Sequence, residues 1–433
     1  MSHPATPTIR PPDRLRARPP VRPLSRVVAG LLAAVLGLSL TGPLLAAPKV
    51  ELGIDVLLAP GSPHAAALAG KRLGLITNPS GVDGQLVPSA DRLARDPRMR
   101  LVQLYGPEHG IRGEVAAGEK VDDARDPVTG LPVQSLYGRT RRPTAESLAG
   151  VDALLFDIQD IGSRTYTYIS TLGEAMQACA EHKKPLWVLD RPNPIGGQLA
   201  EGPVMPEQWR NFIGWGPMPV THGMTVGEVA RFFKDTLGIA CELQVVPMRG
   251  WRRDMVWADT GLRWTQTSPH IPGTIQAHLY VATGMVAMST TNLSDGVGTT
   301  LPFEVVVADF FDGPRLAAEL DAQGLPGVRF QALAVKPFYG TFKDQPLRGV
   351  RLHLTDANAF EPLRTAVTIL AVVERLYPGR IAFAEEKIIG RHWGETTLPA
   401  RLRAGEPVAD ILAGWRGAMQ PFLDARRAAL LYR

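Results

Sequence analysis

Beyond residue 47 the chain alternates short apolar runs with stretches whose apolar positions recur every three or four residues. Buried strands threaded between amphipathic helices produce this pattern. Residues 72–76, 100–104, 153–157 and 185–189 read as strands, and each runs into residues that favour turns. These are Thr77-Asn78-Pro79-Ser80-Gly81, Tyr105-Gly106-Pro107-Glu108-His109-Gly110, Ile158-Gln159-Asp160-Ile161-Gly162 and Asp190-Arg191-Pro192-Asn193-Pro194. Residues 170–182 and 226–237 read as helices, the second opened by Thr225 with Glu228 at its third position, a capping-box pattern. Residues 48–255 are therefore expected to form a Rossmann-like, doubly wound α/β domain.

From about residue 251 the pattern becomes mixed. Helices are expected near 302–311, 314–323, 362–376, 408–414 and 419–430, with strands near 328–335 and 349–355. We read residues 256–433 as a second, smaller α/β domain that completes a cleft with the first.

Composition adds little to this picture and charge corrects it. The 433 residues are 45% apolar and 21% charged, as in an ordinary globular protein. The formal charge of +5 resides in residues 1–47, where Arg10, Arg14, Arg16, Arg18, Arg22 and Arg26 face Asp13 alone. The rest is neutral, so the basic balance gives no reason to expect a nucleic-acid partner. After the arginines, residues 27–47 are uncharged and end in small side chains. Residues 1–47 thus read as a signal peptide, with a periplasmic or secreted protein and no membrane partner after cleavage. Cys179 and Cys241 fit no metal spacing, and their pairing is left open by the sequence.

In an open α/β sheet, ligands bind beyond the carboxyl ends of the strands. Glu108, His109 and Arg112 follow one such end, Asp157, Gln159, Asp160 and Arg164 another, and Asp190, Arg191 and Asn193 a third. Pro107 and Gly110 place Glu108 on a rigid turn, and His222 precedes a helix that can face the same edge. Dinucleotide, phosphate-loop, serine-elbow and His-Glu-x-x-His motifs are missing, and no cofactor is expected. A zinc site built from His109, His222 and an aspartate is a minor alternative. Carboxylates across a cleft suit glycosidic bond cleavage, with Tyr105, Tyr166, Tyr168, Trp215 and Trp264 as candidate sugar-stacking rings.

As a set, Leu75-Ile76-Thr77-Asn78-Pro79-Ser80-Gly81, Gly106-Pro107-Glu108-His109-Gly110-Ile111-Arg112-Gly113, the run Phe156 through Tyr168, Leu189-Asp190-Arg191-Pro192-Asn193-Pro194 and His222-Gly223-Met224-Thr225 resemble the exo-β-N-acetylmuramidase family. The resemblance implies a glycosidase that releases N-acetylmuramic acid from the non-reducing end of peptidoglycan fragments, with Glu108 catalytic. Asp160 is the first choice of partner carboxylate and Asp157 the second. The remaining candidates for substrate binding are His109, Arg112, Gln159, Arg164, Tyr168, Asp190, Arg191, Asn193 and His222, of which Arg164 and Arg191 are the candidates for the lactyl carboxylate. The chain departs from the family at Thr267-Ser268-Pro269-His270, at Ser289-Thr290 and at Val297, where an acid and an arginine are lost. A non-catalytic glycan-binding protein of the same fold is the alternative.

Overall fold

The computed structural model describes residues 50–113, 115, 119–120 and 122–433; the expected signal peptide lies outside them. Among the described residues, ten strands form two sheets. The larger contains β1 (Arg72–Thr77), β2 (Arg100–Gly106), β3 (Ala124–Arg125), β4 (Pro132–Ser135), β5 (Ala153–Asp157), β6 (Leu186–Leu189) and β7 (Leu243–Val246), in the order β3-β4-β2-β1-β5-β6-β7. Every pairing is parallel except the edge pair β3–β4. β5 and β6 are buried at every position, as expected of a sheet covered on both faces.

The chain leaves β1 towards β2 on one side and returns to β5 on the other, so the loops after β1 and β5 meet at the topological switch point. There the backbone is stitched together. The Thr77 hydroxyl donates to the Asp157 carbonyl at 2.8 Å, and the Gln159 N–H donates to Ser80 Oγ at 3.0 Å. Gly162 takes φ +82°, and a Cβ there would lie 2.4 Å from Asn193 Oδ1, so only glycine lets the loops after β5 and β6 approach this closely.

The helices Tyr168–Glu181 and Val226–Thr236 occupy the stretches expected of them, the second with a complete capping box from Thr225 and Glu228. The smaller sheet is antiparallel, in the order β8 (Val305–Ala308), β10 (Leu347–Leu354), β9 (Val328–Val335). Here the expected helix at 302–311 is corrected to a strand. Val305, Val306 and Val307 are β-branched and fully buried, and their side chains suit a pleated surface better than a helix turn. The expected helices 314–323, 362–376, 408–414 and 419–430 appear as Gly313–Asp321, Pro362–Leu376, Val408–Gly417 and Gln420–Ala429. One continuous apolar cluster runs from Ile76 and Phe156 of the large sheet to Val350 of the small one and on to Trp393 and Phe422, so the two sheets share a core. Among the described residues, no helix is long and apolar enough to cross a membrane.

Candidate active site

β2 ends at Gly106, and the turn that follows throws Glu108 out of the sheet. The Gly110 N–H donates to the Pro107 carbonyl at 3.0 Å, and both His109 (φ +73°) and Gly110 (φ +77°) are left-handed. A histidine in that region carries backbone strain. It is held there by its own ring, whose Nδ1 lies 2.9 Å from the Val115 carbonyl. A carbonyl only accepts, so Nδ1 carries the proton.

Glu108 and His109 line a cavity of ≈ 290 Å³ together with Tyr137, Tyr166, Tyr168, Tyr280, Phe303, His270 and His392. The Thr167 hydroxyl donates to Glu108 Oε2 at 2.9 Å. The rings of Tyr166 and Tyr168 meet edge to face at 4.9 Å, and Tyr280 continues the wall, 5.7 Å from Tyr166 and 4.9 Å from Phe303. Tyr280 opens a π-helical turn, Tyr280–Gly284, set between Thr274–Leu279 and Met285–Met288, a distortion common at functional sites. Tyr166 donates to Thr267 Oγ1 at 2.8 Å and Tyr168 to the Thr267 carbonyl at 2.5 Å, which fixes both rings. Burial raises the phenol pKa of Tyr166, Tyr168 and Tyr280 and lowers that of the His270 and His392 imidazoles. These five rings are therefore neutral around one carboxylate. No lysine or arginine lines the cavity among the described residues.

The other expected site residues serve the loops. Asp157 is fully buried and paired bidentately with Arg191, at 2.6 Å to Nε and 2.9 Å to Nη2, while Arg191 also donates to the Val82 carbonyl. Asp190 accepts from the backbone N–H groups of Arg191 and Gly227 and from the hydroxyls of Thr225 and Tyr432; burial lifts its pKa to about 6. Arg164 donates to the carbonyls of Pro203, Met218 and His392. Gln159 spans the carbonyls of Asp160 and Pro192, and Asn193 pins Ile195 and Met224. Arg112 is shared by Asp126 and Asp91 beside a separate cavity of ≈ 380 Å³.

Asp160 is buried behind the tyrosines, accepts from the Gly162 N–H at 2.6 Å, and has its pKa raised to about 7 by burial. His222 Nε2 lies 3.8 Å from it. His222 Nδ1 accepts from the Met224 N–H, so the neutral ring carries its proton on Nε2, and burial lowers its pKa to about 3. Of the expected set, then, Glu108, His109 and Tyr168 meet at the cavity, and the arginines named for a carboxylate do not reach it. No group of three or more His, Cys, Asp or Glu is placed to hold a metal ion among the described residues, so His109, His222 and an aspartate do not assemble a zinc site.

Comparison with known proteins places this geometry. The N-terminal profile of "Exo-beta-N-acetylmuramidase NamZ" matches residues 73–275 and the C-terminal profile residues 278–432. The chain belongs to the exo-β-N-acetylmuramidase family. It is 41% identical over 389 residues to the peptidoglycan β-N-acetylmuramidase NamZ of Bacillus subtilis (strain 168), covering 89% of this chain and 92% of that protein. Two crystal structures of DUF1343 family proteins from Bacteroides fragilis NCTC 9343 share the fold. One has a TM-score of 0.82 at 39% identity and the other 0.71 at 25%, and each match covers 89% of this chain and 99% of the other.

Within an exo-β-N-acetylmuramidase the departures at Ser289 and Val297 acquire a location. Ser289 is buried, bonded to the Met285 carbonyl and accepting from Trp393 Nε1 at 2.6 Å. Its neighbour Met288 lines the cavity. Val297 packs on the core with its N–H on Asp295 Oδ1. His270 lines the cavity and its Nε2 sits 2.7 Å from the hydroxyl of Tyr339, a partly exposed ring stacked on it. Tyr137, Tyr280, Phe303 and His392 had no local signal in the sequence. Of the rings expected to stack on sugars, Tyr166 and Tyr168 line the cavity, whereas Tyr105 and Trp215 are core residues.

Proposed function

We propose that this glycosidase of the exo-β-N-acetylmuramidase family releases N-acetylmuramic acid from the non-reducing ends of peptidoglycan fragments, with Glu108 as general acid and then general base. The observation that carries the reading is that Glu108 is the one carboxylate lining the aromatic cavity among the described residues. Two-carboxylate glycosidases need a second acid about 5–9.5 Å away across the sugar. With Asp157 and Asp190 committed to hydrogen bonds and Asp160 buried outside the cavity lining, the second role falls to the substrate. Its 2-acetamido oxygen attacks the anomeric carbon while Glu108 protonates the departing oxygen. The Glu108 carboxylate then takes a proton from the water that opens the cyclic intermediate. The neutral tyrosine wall excludes bulk water and offers CH-rich sugar faces an apolar surface.

Replacing Glu108 by Gln is expected to slow release of chromophore from a β-N-acetylmuraminide by about 10²–10⁴-fold with an unchanged melting temperature. Undiminished turnover refutes the assignment, and binding without any release in the parent protein favours the glycan-binding alternative. We further propose export of the protein, supported by the arginine-led apolar leader at 1–47; the N-terminal residue of the protein recovered from cells tests it.

A further inference from the structure

Resting on that reading, the structure leaves one requirement unmet: a muramic residue differs from a glucosamine by a lactyl group whose carboxylate needs a cation. Arg164 and Arg191 are fully buried, outside the cavity lining, with the Nη groups of Arg164 on carbonyls and Arg191 on Asp157 and the Val82 carbonyl. The cavity wall itself holds no arginine or lysine among the described residues.

Against one of its lining rings stands Arg141. Its guanidinium carbon lies 4.0 Å from the ring centroid of Phe212 and 4.7 Å from that of Tyr137. Tyr137 lines the cavity, as does Ile213 beside Phe212. Arg141 is exposed and forms no ion pair among the described residues, unlike its neighbours Arg139, paired with Asp123, and Arg142, paired with Glu174. The guanidinium sits in the angle between the two rings and also meets the Tyr137 hydroxyl, and the rest of its exposed N–H fork is open to a carboxylate. The rings also fix where that fork points, which reduces the entropy lost when it binds. The Tyr137 phenol senses both functional charges. Burial and then Glu108 raise its pKa, and Arg141 draws it down, so acid and guanidinium flank one ring.

We infer that Arg141, held against Tyr137 and Phe212, binds the lactyl carboxylate and sets the preference for muramic over glucosamine residues. The test compares two chromogenic substrates, a β-N-acetylmuraminide with a free lactyl carboxylate and its neutral lactamide. In the parent, kcat/KM favours the carboxylate. In Arg141→Gln the carboxylate-to-amide ratio of kcat/KM is expected to fall by about 10- to 100-fold, chiefly through KM, with Arg141→Lys falling between. Because each variant is its own control, a general loss of folded protein leaves the ratio untouched. A ratio in Arg141→Gln within twofold of the parent's overturns the role of Arg141 while leaving the glycosidase reading intact. A parent protein that cleaves neither substrate overturns both.

Discussion

At the carboxyl ends of β5 and β6, Asp157 and Asp190 have each oxygen engaged, by Arg191, Thr225, Gly227 and Tyr432. At the end of β2, Glu108 is only half-buried and faces an aromatic cavity. All three acids follow apolar strands into turns rich in proline and glycine, and in the sequence they look alike. The difference is what surrounds them. Loops after β5 and β6 meet others on both sides, and their acids are consumed in holding the loops together. The loop after β2 faces the π-helical segment and Phe303 across a gap.

The sharpest way to break this contrast is to neutralise one acid of each kind. Glu108→Gln is expected to abolish most turnover and keep the melting temperature. Asp157→Asn removes half of a buried ion pair and strands the Arg191 charge, at a cost of about 3–5 kcal/mol. A large fall in melting temperature is then expected, with turnover per folded molecule close to the parent's. If Asp157→Asn instead folds normally and fails to turn over, the division of labour between the two regions is wrong.

How far the sequence reveals each region follows from the range of the interactions. The parallel strands were legible because each is a local apolar run, and Glu108 because Pro107 and Gly110 form a local turn. The pairing of Asp157 with Arg191 spans 34 positions, and nothing local distinguishes a pinned acid from a poised one. The cavity wall was hidden for the same reason, since Tyr280, Phe303, His270 and His392 arrive from four separate segments. The error at Val305–Ala308 is of another kind. Its β-branched residues carried the strand signal, and the neighbouring apolar residues obscured the period.

Asp160 extends the comparison to pH. Its pKa of about 7 lies well above the ordinary 3.8 because it is buried. Between those values the folded protein holds a proton that the unfolded chain releases, so this group's contribution to stability is lost as pH rises from about 4 to 7. Asp190, raised to about 6, acts in the same direction. His222 acts in the opposite one: lowered to about 3, it lets the unfolded chain bind the extra proton, so its share of stability grows between pH 3 and 6.5. Asp160→Asn keeps an oxygen for the Gly162 N–H and removes only the first trend. Relative to the parent, the variant is expected to gain on the order of a few kcal/mol between pH 4 and 7, read from melting temperatures across that range. A constant offset between the two curves means that Asp160 ionises in the folded protein as it does in the unfolded one.

The mildest probe lies at the far end of the chain. The Tyr432 hydroxyl donates to Asp190 Oδ2 at 2.5 Å and accepts from the Met248 N–H at 2.9 Å, and Leu431 N–H donates to Glu228 at 2.8 Å. The last residues thus clamp the β6 loop to the capped start of the helix Val226–Thr236. Tyr432→Phe keeps the ring against Trp251, 5.0 Å away, and deletes only the hydroxyl. Asp190 retains Thr225 and two backbone donors, so the expected loss is about 1.5–3 kcal/mol, below that of Asp157→Asn. KM is expected to stay at the parent value, because the clamp acts on the pinned acids and does not reach the cavity. A shift in KM without a shift in melting temperature would place Asp190 with the poised acid, and the contrast between the two strand ends would have to be redrawn with Glu108 and Asp190 on the same side.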